Sequence, residues 1–364
     1  MEPTDTIAAT GPFVSLTLPI EADAADAEDR MGIRWSNARR QLAEDGAPED
    51  LLDRIEPIVT GAARQHAAAI HLVAPSDGPV LVHLGHDDDV TEQARTGPVP
   101  ALLPLMRARD EDVAHLVVVV DREGADIWVR DSRGDTTGQD PDAEVDGDTE
   151  HIHRGQPGGW SQRRFQQRAE NTWEKNAAGV AAEVDQVARR AGARLVVATG
   201  DVRALGFLEE HLSEETKGIL TVVDTGGRSD DDAVERASAE ADRLVADLAA
   251  RRTVDALERF GAATGEDLAV EGASDTLRTL SEGRVAVLLV HDHGAEERTA
   301  FASVDGSVAA TERSVIEDLG LEVVEGRLVD VAVRTALATG AEVVVVPAHG
   351  ARVPREGIGG VLRG

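Results

Sequence analysis

The sequence predicts an α/β protein, or more loosely α+β, with mixed sheets flanked by helices. Apolar segments of strand length alternate with segments of helical periodicity, especially in the middle of the chain, and this alternation is typical of α/β units. The length of 364 residues fits two or three domains. Hydrophobic residues make up 41% of the chain and aromatic residues only 2%, so we expect cores of aliphatic side chains.

Turn signals and composition shifts predict three domains, at residues 1–112, 113–227 and 228–364. In the first we expect a strand at 13–18, two or three helices between 22 and 74 that Pro48 and Pro57 separate, and a hairpin of strands at 69–73 and 80–84. In the second we expect a strand–turn–strand at 116–129, a solvated acidic loop at 135–150, helices at 161–190 and 202–211, and strands at 194–198 and 220–223. In the third we expect helices at 230–260 and 263–280, a strand at 285–290, a helix at 329–339 and a strand at 343–346.

Composition restricts the classes of function. The chain has no cysteine, which excludes disulfides, thiol catalysis and cysteine-ligated metals. The first residues, MEPTDTIAATGPF, lack the basic and apolar regions of a signal peptide, and no apolar run approaches the roughly 18 residues needed to span a bilayer. We therefore expect a cytosolic protein without a membrane partner. The net charge of −31 argues against non-specific nucleic-acid binding, although a local basic surface stays open.

One basic segment stands out in this acidic chain. Residues 151–175 contain five Arg or Lys residues and two Glu residues, directly after the acidic loop. Glycines at 155, 158 and 159 allow the backbone to approach a ligand closely, and Ser161 is a predicted helix N-cap. Arg164 and Arg168 are four residues apart, on one helical face. This arrangement suits an RNA phosphate backbone, and the alternative is a solvated arginine helix.

The same segment carries a family resemblance. Gly158-Gly159-Trp160-Ser161-Gln162-Arg163-Arg164-Phe165 resembles the GGQSxxRF motif of archaeal and eukaryotic class I release factors. Trp160 occupies the position of the family's catalytic glutamine. Gln162 lies two positions later, and this Gly-x-x-Gln spacing looks like that of the related peptidyl-tRNA hydrolases of ribosome quality control.

The resemblance extends along the whole chain. Residues 116–125, 195–200 and 222–227 look like strands of the family's middle domain, residues 357–363 are similar to its GIGGILRY ending, and residues 14–19 resemble its first strand. The resemblance implies three domains of release-factor type. Residues 33–40 lack the family's Asn-Ile-Lys-Ser tetrapeptide, so stop-codon decoding is not expected. Trp35 and Arg39 are candidates for RNA contacts in the decoding region, and the alternative for Trp35 is a packing anchor.

The resemblance implies a protein that binds the ribosome at rRNA of the A site, between the peptidyl transferase centre and the decoding region. The favoured hypothesis is a hibernation factor that resembles the Balon-type proteins. Its alternative is a rescue peptidyl-tRNA hydrolase in which Gln162, with Gly158 and Gly159, positions water. A third hypothesis is a stress protein that has left the ribosome. The candidate RNA-binding residues are Arg154, Trp160, Arg163, Arg164, Arg168, Trp35 and Arg39.

The resemblance also suggests an EF-Tu-type GTPase as a partner, and occupancy of the A site favours a monomer. No cofactor is expected. His151 and His153 alternate as two ligands on one strand would, but no third ligand has suitable spacing. His291, Asp292 and His293 are expected to form an exposed loop cluster, so no metal site is predicted.

Overall fold

The structure is a computed structural model. It describes residues 6–21, 26–65, 67–85, 90–130, 141–146, 161–228, 230, 232–291, 298–347 and 353–364. The backbone forms two compact units, one made of residues 1–111 and 249–364 and the other of residues 112–248. Both units combine mixed or antiparallel sheets with helices, which confirms the predicted α/β class. The three-domain division remains a prediction.

The N-terminal part of the first unit is an antiparallel sheet covered by helices. Its elements are β1 (Phe13–Pro19), α1 (Ala27–Glu44), α2 (Glu49–Gly61), β2 (Ala69–Pro75), β3 (Leu81–Gly85), β4 (Gln93–Gly97) and α3 (Leu103–Glu111). The strand order is β3-β2-β1-β4, and the pairing of β2 with β3 confirms the predicted hairpin. Pro57 lies inside α2 instead of ending a helix. Its ring is exposed, and Ile55 and Val59 on either side of it are buried, so the helix keeps a continuous buried face.

The C-terminal part of the first unit contains two sheets. Its elements are the second half of α7 (Ala233–Gly265), β10 (Ala269–Glu271), α8 (Ala273–Ser281), β11 (Val285–His291), β12 (Thr299–Ser303), β13 (Ala309–Ala310), α9 (Arg313–Glu317), β14 (Val323–Arg327), α10 (Leu328–Ala338), β15 (Glu342–Val346) and β16 (Ile358–Leu362). The sheets have the orders β10-β16-β11-β15 and β13-β12-β14. Helix α10 lies in the core with most of its residues buried.

The second unit is a three-layer sandwich. Its elements are β5 (His115–Val120), β6 (Gly124–Arg130), β7 (Ala143–Asp146), α4 (Ser161–Ala191), β8 (Leu195–Gly200), α5 (Val202–His211), α6 (Glu214–Lys217), β9 (Leu220–Val222) and the first half of α7. The order is β7-β6-β5-β8-β9, with β5, β8 and β9 parallel and β6 and β7 antiparallel. Helices α4 and α5 cover one face of this sheet, and α7 covers the other.

Several elements differ from the prediction. Strand β7 lies inside the predicted acidic loop and pairs with β6. The acidic strand is stable there because Arg228 brings positive charge to it, with its Nη2 atom 3.5 Å from Glu144 and 3.9 Å from Asp146. Strands β10, β12, β13 and β14, each two to five residues long, were not predicted.

Candidate functional site: the helix that follows the glycine loop

The glycine loop leads into helix α4. Arg154, Gly158, Gly159 and Trp160 lie outside the described residues, as do His151 and His153. Helix α4 begins at Ser161, as predicted, so the backbone of residues 162–168 is helical. The side chains of Gln162, Arg163, Arg164 and Arg168 are outside the described set. Their positions place Gln162 in the first turn and Arg164 one turn before Arg168.

The C-terminal half of α4 is held against the sheet. Its buried residues Val180, Ala181, Val184, Val187 and Ala188 pack with Val118 and Ile127 of the sheet and with Leu208 of α5. Among the described side chains of α4, burial starts at Asn176 and Ala177. These lie about 22 Å along the helix axis from Ser161, at 1.5 Å per residue. Among the described side chains, the anchoring contacts of α4 therefore lie well beyond its first turn.

A polar network anchors α4 at the carboxyl ends of β5 and β8. Asn176 donates from Nδ2 to the carbonyl oxygen of Arg122, at 3.1 Å. Arg122 in turn donates from Nη2 to the Asp201 carboxylate at 2.9 Å. Asp201 is also the N-cap of α5 and accepts from the backbone N–H groups of Arg203 and Ala204. One chain of hydrogen bonds thus joins α4, the β5–β6 turn and α5.

The charge of Asp201 is stabilised within this network. Burial raises the pKa of its carboxyl group, but the hydrogen bonds from Arg122 and from the N–H of Ala204 outweigh burial, so that the pKa is lowered from 3.8. Asn176, Arg122 and Asp201 were not singled out from the sequence. An aspartate directly before a predicted helix is an N-cap signal, and this signal could have identified Asp201.

The backbone at the end of β8 leaves no room for a side chain. Gly200 has a φ of +139°, and a Cβ atom there would lie 1.8 Å from the carbonyl oxygen of Val120. Thr199, next to it, donates from Oγ1 to the carbonyl oxygen of Gly226 at 2.9 Å and accepts from the N–H of Thr225. These contacts therefore fix β5, β8 and the loop after β9 together at the carboxyl ends of β5 and β8, where the polar network anchors α4.

Arg228 brings positive charge to the acidic residues of β6 and β7. Its guanidinium makes a two-pronged contact with Asp126, with Nε–Oδ2 and Nη2–Oδ1 distances of 2.9 and 2.7 Å. Hydrogen bonding to Asp126 is the largest of the effects that raise the pKa of Arg228. Because Arg228 is fully engaged with carboxylates, it contributes to holding the sheet, and we do not place it among the RNA-binding candidates.

Trp35 has a packing position in the first unit. Its side chain is 3% exposed and lies in the core with Met31, Ala38 and Leu42 of the same helix. The indole presents no ring face on which a base could stack, so the predicted RNA contact is wrong for this structure and the packing alternative describes the residue. Its spacing from the other three residues is that of the buried face of an amphipathic helix.

Arg39 is engaged with acidic residues of the neighbouring helix. It binds the carboxylates of Asp53 at 2.7 Å and Glu56 at 3.0 Å, and it also contacts Glu49. These carboxylates raise the pKa of Arg39, with the hydrogen bond to Asp53 as the largest cause. An RNA phosphate would have to displace three carboxylates, and Arg39 instead links α1 to α2.

A polar groove lies beside α1. It has a volume of about 620 Å³ and separates α1 from the edge strand β4, with Asn37, Gln41, Gln93, Arg95 and Thr96 among its lining residues. Gln41 crosses it and donates from Nε2 to the carbonyl oxygen of Ala94 at 3.2 Å. Asn37, within the segment 33–40 selected from the sequence, and Gln41, one turn later on α1, thus present amide-bearing side chains to this groove.

The histidine cluster at residue 291 differs from expectation. His291 is the last residue of β11 and is only 4% exposed, because the strand continues one residue beyond its predicted end. Asp292 and His293 lie outside the described residues. Within the described ranges, no three His, Asp or Glu side chains are grouped as metal ligands, and no helix has the length and apolar character to cross a membrane.

Comparison with known proteins gives relatives over the whole chain. Two sequences from strains of Mycobacterium tuberculosis, each named an uncharacterized protein, are 24% identical over 381 aligned positions, which cover 98% of this chain and 94% of the relative. Among solved structures, the archaeal translation termination factor aRF1 is 17% identical and covers 99% of this chain and 95% of its own, with a TM-score of 0.26. Pelota of Archaeoglobus fulgidus is 14% identical, with coverages of 81% and 78% and a TM-score of 0.36.

The comparison with family models concerns the middle of the chain. Residues 114–266 match the model of bacterial archaeo-eukaryotic release factor family 2. This range contains the glycine loop, helix α4 and the network of Asn176, Arg122 and Asp201. The resemblance that the glycine loop carried in the sequence is therefore confirmed, and the middle region of this chain is similar to bacterial archaeo-eukaryotic release factor family 2.

Proposed function

We propose that this chain is a translation factor that binds the ribosome and occupies the A site of idle ribosomes as a hibernation factor. The observation that carries the proposal is the match of residues 114–266 to a release factor family, because that region contains the loop and helix of the predicted RNA contact. It accounts for a basic segment, residues 151–175, inside a chain with a net charge of −31.

The anchoring of α4 supports this use of the segment. Among the described side chains of α4, the buried part starts at Asn176, and the network with Arg122 and Asp201 fixes it to two other elements. A rigid support lowers the entropy lost when a loop binds. Arginines on the first turns of such a helix would meet RNA phosphates in a defined position, and release of counterions would then favour binding.

Two differences from the release-factor motifs favour hibernation over termination. Trp160 replaces the family's catalytic glutamine, and an indole can stack on an RNA base, which contributes about 1–3 kcal/mol. The decoding tetrapeptide is absent, and Trp35 of the corresponding segment is buried in the core. In our proposal, contacts in the decoding region come from the groove between α1 and β4, where Asn37 and Gln41 present amide groups.

The alternative function is peptidyl-tRNA hydrolysis during ribosome rescue. The specific observation in its favour is that α4 starts at Ser161, which places Gln162 in the first turn of a long helix. Backbone N–H groups and the helix dipole favour negative charge at this end, as hydrolysis of an ester through an oxyanion requires. Gln162 would orient the attacking water, and Gly158 and Gly159 would let the loop enter the peptidyl transferase centre.

Sedimentation with vacant 70S ribosomes tests the proposal. We expect the wild-type protein to pellet with ribosomes, and the double variant Arg164→Glu/Arg168→Glu to lose most of this binding because two charges change sign at the contact. The matched control is Arg189→Glu/Arg190→Glu, which makes the same change at two exposed positions in the last turn of α4. Equal binding by the two double variants would refute the role of the basic segment.

A second measurement distinguishes the two functions. Ribosomes carrying peptidyl-tRNA in the P site are mixed with the protein, and released peptide is measured. Binding without release supports hibernation, and release that is lost in Gln162→Ala supports rescue.

We further propose that the protein acts as a monomer and that an EF-Tu-type GTPase delivers it to the ribosome. Ribosome binding should then become faster when EF-Tu and GTP are added, and it should not become faster when EF-Tu is added with GDP in place of GTP.

A further inference from the structure

Helix α9 and the turn that follows it expose three apolar side chains. Val315 is 47% exposed, Leu319 is 61% exposed and Leu321 is 40% exposed. All three lie within seven consecutive positions, at helix α9 and the turn that follows it. We name these three side chains the 315–321 apolar patch. Single exposed apolar residues are normal on a protein surface, and a local group of them is a candidate for an interaction site when its surroundings select a partner.

The turn after α9 holds the patch in a defined shape. The N–H of Gly320 donates to the carbonyl oxygen of Glu317 at 2.8 Å, and the N–H of Leu321 donates to that of Ile316. This pair of bonds, with a φ of +72° at Gly320, is the Schellman ending of a helix. Val315 and Leu319 are four residues apart and share one face of this turn. The patch therefore exists before any partner binds.

The fold does not require these apolar residues. Ile316 anchors α9 to the unit and is fully buried, at 0% exposure. The side chains of Val315 and Leu319, by contrast, are 47% and 61% exposed, so a large part of their apolar surface lies outside the core. The apolar surface that these residues leave exposed is available for a contact outside this chain.

The charge around the patch identifies the kind of partner. Five exposed carboxylates lie within residues 312–325, at Glu312, Glu317, Asp318, Glu322 and Glu325. Arg313 lies among them and is paired with Glu317, with an Nε–Oε1 distance of 2.7 Å. The rim is thus strongly acidic, even relative to the rest of this acidic chain. It repels RNA and a second copy of the protein, and it attracts Lys and Arg side chains.

We propose that the 315–321 apolar patch and its acidic rim form a docking site for a basic amphipathic segment of another protein. Apolar residues of that segment cover Val315, Leu319 and Leu321, and its Lys or Arg residues pair with the rim. Such a segment combines burial of apolar area with charge complementarity, as helix-in-groove recognition does. The proposal does not depend on the glycine loop, so it holds whether or not the protein binds the ribosome through α4.

A synthetic helical peptide tests the proposal on the full chain. The probe is a peptide of about 18 residues, long enough to form a helix, with Leu along one face and Lys on the others. Its control has the same composition in scrambled order. We expect the amphipathic peptide to bind about tenfold more tightly than the scrambled one in fluorescence anisotropy. Equal affinities would show that only net charge attracts the peptide, and would overturn the proposal.

Variants locate the contact. Val315→Ser/Leu319→Ser should remove the preference for the amphipathic peptide, and Glu317→Lys/Glu322→Lys should weaken both peptides. The matched control is Val202→Ser, which changes an isolated valine that is 84% exposed in the other unit. If a variant fails to fold, NMR of the wild-type protein decides. Peptide-induced shifts centred on residues 312–325 support the site, and shifts centred elsewhere, or self-association of the protein, refute it.

Discussion

The guanidinium carbon of Arg334 lies 5.1 Å from the centroid of the Phe13 ring, so α10 and β1 meet through a cation–π contact in the core of the first unit. Arg334 is 0% exposed. It donates to the main-chain carbonyl oxygens of Ile7 at 3.2 Å, Ala9 at 2.9 Å and Val304 at 2.6 Å. Burial lowers the pKa of Arg334 to about 10, so it is still charged at neutral pH. A single side chain thus ties the first residues of the chain to the C-terminal part.

The first prediction concerns this contact. Replacing Arg334 with Met leaves several buried carbonyl groups without a donor, and we expect the free energy of unfolding to fall by about 2–4 kcal/mol. Urea denaturation measures this change, and protease cleavage within residues 6–12 should become faster. Arg284→Met, at an exposed arginine, is the control. A loss no larger than in that control would show that Arg334 contributes little.

The second prediction concerns pH. Asp330, one turn before Arg334, is 3% exposed, and burial raises the pKa of its carboxyl group from 3.8 to about 6, against the opposing effects of Arg327 and Arg95. The folded state therefore holds this proton more tightly than the unfolded state. The contribution of Asp330 to stability is full below about pH 4, declines as the pH rises through about 6 and is constant above that, a change of about 3 kcal/mol.

The variant Asp330→Asn isolates this contribution because asparagine does not titrate. Its free energy of unfolding should improve relative to the wild type as the pH is raised from 4 to 7, in urea unfolding curves recorded at each pH. Asp50→Asn, at an exposed position, corrects for changes in net charge. A difference between Asp330→Asn and the wild type that is independent of pH would contradict the raised pKa.

How well the sequence predicts an element depends on where its stabilising contacts lie. Helix α5 has the predicted bounds, Val202 and His211, because its N-cap and its apolar face are local signals. Strand β7 was missed because the charge that neutralises it comes from Arg228, 82 residues beyond Asp146 in the chain. No local pattern reveals such a partner.

The same reasoning applies to the candidate site. The glycine loop, the basic segment and the start of α4 at Ser161 are local features, and all were found in the sequence. The support of α4 depends on Asn176, Arg122 and Asp201, which are far apart in the chain and meet only in the fold. Trp35 was assigned to RNA because an aromatic residue beside arginines suits both stacking and packing, and only its burial decides between the two.

The third prediction uses two glycines as a matched pair. Gly200→Ala should destabilise the second unit by more than about 3 kcal/mol or prevent its folding, because the added Cβ would overlap the carbonyl oxygen of Val120 at a φ of +139°. Gly179→Ala, at an exposed position of α4 with no atom within 4 Å of the new Cβ, should stabilise by up to about 1 kcal/mol. Urea unfolding followed by circular dichroism measures both, and effects of equal sign would refute the argument.

The fourth prediction concerns the residue that separates hibernation from hydrolysis. If Trp160 stacks on an rRNA base, Trp160→Ala should weaken ribosome binding by about five- to 150-fold, the equivalent of 1–3 kcal/mol. Trp160→Phe should retain much of the affinity because it keeps an aromatic face. Trp160→Gln, which restores the residue of the release-factor motif, should bind as weakly as the alanine variant. Affinities from sedimentation at fixed salt concentration test the series, and equal binding by all four proteins would show that the tryptophan makes no contact with RNA.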